Sequence, residues 1–113
     1  MQFFKTLFQP DASSISAAEA NERITSGAAV IDVRQAQEYA DGHIQGATLI
    51  PLNELHNRLA ELPKDRELVI VCRSGARSGI ATHQLKAAGY QALNLSGGMI
   101  AWSRARLPIT RGR

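Results

Sequence analysis

The 113-residue chain has a single cysteine, Cys72, and only 5% aromatic residues. One thiol excludes an internal disulfide and a cysteine-rich zinc site. The scarcity of aromatics predicts an aliphatic core. Long apolar runs are also missing. The opening MQFFKTLFQPD is apolar for only about eight residues, whereas a membrane-spanning helix needs about 20. Gln9, Pro10 and Asp11 interrupt that run before the small residues Ala12 to Ser14, unlike a secretory signal. These gaps predict a soluble cytoplasmic protein with no membrane partner, and a loose or docking extension over residues 1–13. Charge is not concentrated in one block. The formal net charge is +3, with no basic stripe interleaved with aromatics, so no nucleic-acid partner is expected. Four arginines, Arg104, Arg106, Arg111 and Arg113, fall in the last ten residues. Residues 109–113 read as a solvated basic tail. No repeat or low-complexity linker divides the chain, and its length suits one domain, residues 14–108.

What is present is an alternation of helical and strand patterns. Ser16 and Glu19 have capping-box spacing and predict a helix from about Ala17 to Thr25. AAVIDV (Ala28 to Val33), TLIPL (Thr48 to Leu52), LVIVC (Leu68 to Cys72) and ALNL (Ala92 to Leu95) are short apolar runs, hence strands. Gln35 to Ala40 reads as a helical turn, and Asp41 to Ala47 as loop. Asn53 to Leu62 predicts a helix with Leu55, Leu59 and Leu62 on one face, stopped by Pro63. Ser78 to Ala88 predicts another, burying Ile80, Ala81, Leu85 and Ala88. Gly97 and Gly98 turn the chain into a short helix around Ala101 and Trp102. Strands that are apolar throughout, separated by helices, predict an α/β fold. Its mostly parallel sheet is covered on both faces. Ligands of such sheets bind beyond the carboxyl ends of the strands, and Cys72 lies at such an end.

The loop that follows Cys72 is CRSGARS. Loop amides and the start of the next helix direct partial positive charge toward the thiol, and Arg73 and Arg77 add full charges. A free cysteine has a pKa of about 8.5, and such surroundings lower it. The expected species is a nucleophilic thiolate that also attracts anions. Gly75 supplies the backbone angles that a small ring of converging amides requires. Two chemistries suit a thiolate in an amide cradle. Cysteine phosphatases and arsenate-reducing enzymes need a wider loop, one residue longer than the six from Cys72 to Arg77. This loop also lacks an acidic residue to serve as general acid. Sulfur transfer needs room for only one additional sulfur atom, and the small ring favours it.

Four motifs in order resemble the rhodanese family in its single-domain form. They are IDVR (Ile31 to Arg34) with Glu38 and Tyr39, GHIQGA (Gly42 to Ala47) with Ile50-Pro51, CRSGAR with Ser78, and GGMIAW (Gly97 to Trp102) with Leu107-Pro108. The resemblance runs from about Ser14 to Pro108 and implies a three-layer α/β domain with about five strands. It implies a thiosulfate sulfurtransferase with no metal and no organic cofactor. In the implied ping-pong cycle Cys72 takes the outer sulfur of thiosulfate or a similar small anionic donor. The resulting persulfide, bound by the N–H groups of Arg73, Ser74, Gly75, Ala76, Arg77 and Ser78, passes its sulfur to cyanide or a thiol. An alternative is a sulfur carrier loaded by a partner protein, with a protein thiol as partner. The pattern leaves the oligomeric state open.

Roles for the remaining candidates are read one at a time. Arg77 either binds the anion or braces the loop through carbonyls or a carboxylate. Ser74 and Ser78 either donate hydroxyls to the persulfide or close the loop and cap the helix. Arg34 is expected at the site mouth. Asp32 is expected to tie loops together, Glu38 to pair with an arginine, and His43 and Trp102 to be structural. His56 and His83 are expected on helix surfaces.

Overall fold

The structure, a computed structural model, describes residues 12–113; the expected extension therefore lies almost wholly outside the described residues. Among them, no helix is long and apolar enough to cross a membrane. Among the described residues, five strands form one parallel sheet: β1 (Ser14–Ile15), β2 (Ala29–Asp32), β3 (Thr48–Leu49), β4 (Glu67–Val71) and β5 (Gln91–Leu95). Their spatial order is β1-β5-β4-β2-β3. Four α-helices of the described residues connect or flank them: α1 (Ala17–Thr25), α2 (Ala36–Asp41), α3 (Ala76–Ala87) and α4 (Gly98–Arg104). The Ser16 hydroxyl accepts from the Glu19 N–H at 3.1 Å and starts α1, as the capping spacing predicts.

Strand periodicity divides the core into two layers. Alternate residues of β4 point to opposite faces. Leu68 and Ile70 pack with Leu55, Ala81 and Leu85 on one side. Val69 and Val71 pack with Ala20, Met99 and Trp102 on the other. Cys72 continues the first set and is buried in that layer, so the sheet's period aims its sulfur toward α3. The chain leaves β2 toward β3 on one side and leaves β4 toward β5 on the other. The carboxyl ends of β2 and β4 therefore flank a topological switch point, where such sheets open a crevice for ligands.

The structure departs from these expectations at several points. The segment after β3 is not an α-helix but two 3₁₀ stretches, Leu52–Asn57 and Leu59–Glu61, separated at Arg58. The break is stabilised by Arg58 itself, whose guanidinium holds Glu54 at 3.0 Å and Glu61 at 2.8 and 2.9 Å. Leu55 and Leu62 are still buried. On α3 the buried residues are Ser78, Ala81, Thr82 and Leu85, whereas Ile80 is 55% exposed. The helix starts two residues earlier than the apolar pattern indicated, and its inward stripe includes two hydroxyls. The Thr82 hydroxyl is satisfied by the Ser78 carbonyl at 2.7 Å. Strand β1 was not anticipated: two residues give no periodic signal, yet the Asn94 and Ser96 N–H groups donate to Ser13 and Ile15 carbonyls at 2.6 and 2.8 Å.

The basic end is not a free tail. Thr110 and His43 exchange backbone hydrogen bonds, both 2.8 Å, and the Gly112 N–H donates to the Ala40 carbonyl at 2.8 Å. The arginine side chains Arg104, Arg106, Arg111 and Arg113 remain exposed. The two readings of α3 are separable by denaturation. Leu85→Ala is expected to cost about 2–5 kcal/mol, and Ile80→Lys to stay within about 0.5 kcal/mol. A large loss for Ile80→Lys in urea unfolding would contradict the register that places Ile80 outside.

Candidate active site

The loop between β4 and α3 wraps around the Cys72 sulfur. Gly75 adopts φ +103°, a left-handed conformation that strains any residue with a Cβ. This turn points the Gly75 N–H at Sγ, which accepts it at 3.0 Å. The Ser78 hydroxyl lies 3.2 Å from the same sulfur. The outer side of the loop is held by α4. The Met99 N–H donates to the Cys72 carbonyl at 2.9 Å, and the Ile100 N–H to the Arg73 carbonyl at 3.1 Å. In a trans peptide the C=O and the following N–H point in opposite directions. Fixing these two carbonyls outward therefore turns the Arg73 and Ser74 N–H groups inward. Gly98 makes this approach possible, because a Cβ there would lie 2.4 Å from the Cys72 oxygen and 2.5 Å from the Arg73 oxygen.

Two influences act on the Cys72 thiol in opposite directions. Burial, the largest, pushes its pKa up. The Ser78 hydroxyl and the backbone N–H groups of Ser78, Gly75 and Ser74 pull it down, and together they prevail. The electropositive surroundings are thus built of hydrogen-bond donors first, rather than of the guanidinium charges of Arg73 and Arg77. The thiol is 1% exposed, while Arg73, Ser74 and Ala76 of the same loop are exposed.

The charged residues separate into braces and free cations. Arg77 forms a two-pronged pair with Glu38 of α2, at 2.7 and 2.8 Å. This is the bracing alternative for Arg77. Arg34, expected at the site mouth, lines a depression that Arg73 also borders, but its guanidinium is committed within the structure. It is buried, and its guanidinium holds Asp32 at 2.7–3.1 Å and the Glu38 and Gly42 carbonyls at 3.1 and 2.7 Å. It fixes the end of β2 and closes α2. Arg73 makes no ion pair among the described residues. With Arg104 it borders a depression of about 460 Å³, whose wall includes Glu38, Met99 and Ile100.

The other candidates lie around this frame. Asp32 is fully buried against Arg34. The His43 ring stacks on Tyr39 at 3.7 Å, and its Nδ1 lies 2.8 Å from the Tyr39 carbonyl. The Trp102 indole N–H donates to the Pro108 carbonyl at 2.8 Å. His56 and His83 are exposed. Among the described residues, no group of three or more His, Cys, Asp and Glu side chains is placed to hold a metal ion. One site residue escaped sequence reasoning. Asn94 of β5 meets the Ser78 hydroxyl at 2.6 Å and donates to the Gly75 carbonyl at 3.3 Å. Its only sequence signal is an amide interrupting the apolar run ALNL.

These features define a class: a parallel α/β domain that carries a hydrogen-bonded cysteine in a short loop at the switch point of its sheet. A family model described as "Rhodanese-like domain" matches residues 16–105, and the chain belongs to that family. A protein named "Sulfurtransferase" from Allochromatium vinosum is 46% identical over 86 residues, 75% of this chain and 80% of that relative. A "Probable adenylyltransferase/sulfurtransferase MoeZ" from Mycobacterium tuberculosis is 40% identical over 101 residues, 85% of this chain but only 26% of that relative. A crystal structure of a rhodanese-related protein from Thermoplasma volcanium superposes with a TM-score of 0.82 at 31% identity. It covers 86% of this chain and 96% of that one.

The Glu38–Arg77 pair links acid stability to the loop. Arg77 holds the Glu38 carboxyl down to about 2 from its ordinary 4.5. The folded protein therefore binds this proton more weakly than the unfolded chain. The contribution is present in full above pH 4.5 and lost as pH falls toward 2. Glu38 and Arg77 side chains are 31% and 36% exposed. With that screening, Glu38→Gln is expected to lower stability at pH 7 by about 0.5–1 kcal/mol. Urea titrations at several pH values should show the deficit shrinking through the acid range; a constant deficit would refute the linkage.

Proposed function

We propose that the protein is a sulfurtransferase that carries sulfur as a persulfide on Cys72. The observation that carries the reading is the ring of donors around Sγ. The Gly75 N–H and the Ser78 hydroxyl face the sulfur, and outward-held carbonyls turn the Arg73 and Ser74 amides the same way. A thiolate in that ring attacks the outer sulfur of a sulfane donor. A new S–S bond forms at Sγ while the donor's S–S bond breaks, and its electron pair leaves with sulfite when the donor is thiosulfate. The negative charge moves from Sγ to the outer sulfur, where amide donors stabilise it as an oxyanion hole stabilises oxygen. Attack on that outer sulfur by cyanide or a thiol regenerates the Cys72 thiolate. Ser74, Ala76 and Ser78 complete the ring that holds the outer sulfur.

Anionic donors suit Arg73 and Arg104, which have no ion pair among the described residues and border the depression next to the loop. The apolar Met99 and Ile100 in its wall, and the partly open face, also suit a protein thiol as acceptor. The adenylyltransferase fusion of the mycobacterial relative supports a protein partner in the same way. The phosphatase reading loses its phosphate ligand. Arg77, the arginine at the end of the loop, is committed to Glu38.

Incubation with thiosulfate should add about 32 Da at Cys72, removable by cyanide. Cys72→Ser should abolish the addition. Arg73→Ala should raise KM for thiosulfate about two- to fivefold with little change in kcat, because an exposed charge contributes modest binding. Intact mass spectrometry and steady-state kinetics measure both, and a protein that never gains sulfur from any sulfane donor would defeat the reading.

A further inference from the structure

The Ser78 hydroxyl has one proton and two acceptors. Cys72 Sγ lies at 3.2 Å and Asn94 Oδ1 at 2.6 Å. The orientation of the Asn94 amide is fixed from its other end. The Gly75 carbonyl is an acceptor only, so it must face the amide nitrogen, which it meets at 3.3 Å. Oδ1 is thereby left against Ser78, where it accepts and cannot donate. Ser78 is itself immobilised. It is fully buried on α3, and its carbonyl receives the Thr82 hydroxyl at 2.7 Å. Its hydroxyl hydrogen therefore has two settings, toward β5 or toward the sulfur.

We propose that Asn94 is a positioning residue that competes with the Cys72 sulfur for the single proton of the Ser78 hydroxyl. With Cys72 as a thiol, S–H donates to Ser78 Oγ, and Ser78 O–H donates to Asn94. With Cys72 as a thiolate, the Ser78 O–H rotates to the sulfur and Asn94 Oδ1 loses that partner. Asn94 thus favours the thiol and makes the Ser78 hydrogen bond to sulfur conditional on the charge at Sγ. On the persulfide reading above, which this step rests on, charge leaves Sγ as the S–S bond forms. The Ser78 proton then returns to Asn94, and the inner sulfur loses the one donor that can turn away while the Gly75 N–H stays on it.

The other charged groups near Cys72 stay fixed in this exchange. They are Arg77 of α3 paired with Glu38 of α2, Asp32 of β2 paired with Arg34, and Arg73 in the loop. Strand β5 and the Gly97–Ile100 start of α4 contain no titratable side chain.

Cys72 is the only thiol in the chain, so the pH dependence of its alkylation by iodoacetamide, after reduction with dithiothreitol, reads its pKa directly. Asn94→Leu removes the competing acceptor and is expected to lower the apparent pKa by about half a unit to one unit, the worth of one hydrogen bond. Ser78→Ala is expected to raise it. In the Ser78→Ala background Asn94→Leu should have no further effect, because there is no proton left to contest. Asn94→Asp, a second variant in case the leucine does not fold, should raise the pKa, and raise it less in the Ser78→Ala background. Thermal unfolding confirms that each variant is native. The inference is overturned if Asn94→Leu leaves the pKa unchanged or raises it, if its shift is the same without Ser78, or if the rise in Asn94→Asp does not depend on Ser78. The readout needs no sulfur donor. Failure to load sulfur would therefore count against the transfer reading alone, and an Asn94-independent pKa against this inference alone.

Discussion

The contact on which the site depends is between two backbones. The first turn of α4 gives its Met99 and Ile100 N–H groups to the carbonyls of Cys72 and Arg73. Helix N-termini have N–H groups without intrahelical partners, and here the loop's carbonyls satisfy two of them. The same bonds set the polarity of the ring. Carbonyls directed at α4 leave the amides of the same peptides directed at the sulfur. Were these carbonyls free to rotate inward, they would repel a thiolate instead of stabilising it. Gly98 allows the helix start to come this close, and Gly75 allows the chain to turn back over Sγ. Both are backbone requirements, and both precede any contribution from a charged side chain.

The arginines near the site are divided by what they hold. Arg34 and Arg77 are held by Asp32 and Glu38, and their net charges are largely offset within the structure. Arg73 and Arg104 have no such partner among the described residues and face the depression beside the loop. At Cys72 burial and a lowered pKa coexist. Desolvation raises the cost of charge on the sulfur, and donors fixed at about 3 Å, rather than mobile guanidinium groups, offset it.

The sheet was legible because each long strand is a continuous apolar run, a pattern that only burial on both faces explains. Cys72 was legible because a lone thiol at a strand end, followed by glycine and arginines, has few other uses. The roles of the arginines were not legible in detail. Whether Arg77 meets an anion or Glu38 depends on how α2 packs, and Arg34 turns back to Asp32 only two residues away. The register of α3 was misread because Ser78 and Thr82 face inward. Their hydroxyls find local partners, so polarity no longer marks exposure, and Ile80 is left outside. Asn94 gave only an amide within a strand, and its meaning comes from the parallel register that sets β5 beside the loop.

The C-terminal segment completes the frame around that loop. The loop is held by α4 through its carbonyls and by α2 through the Arg77–Glu38 pair. Neither short helix is anchored by length, with seven and six residues respectively, and isolated helices of that size are unstable in water. The segment after α4 ties both of them. Pro108 accepts from Trp102 of α4, Thr110 pairs with His43 just past α2, and Gly112 donates to Ala40 within it. Arg34 holds the same helix from the sheet side through the Glu38 and Gly42 carbonyls. The backbone of residues 108–112 therefore belongs to the support of the cysteine loop, and the exposed Arg111 side chain is carried on that support.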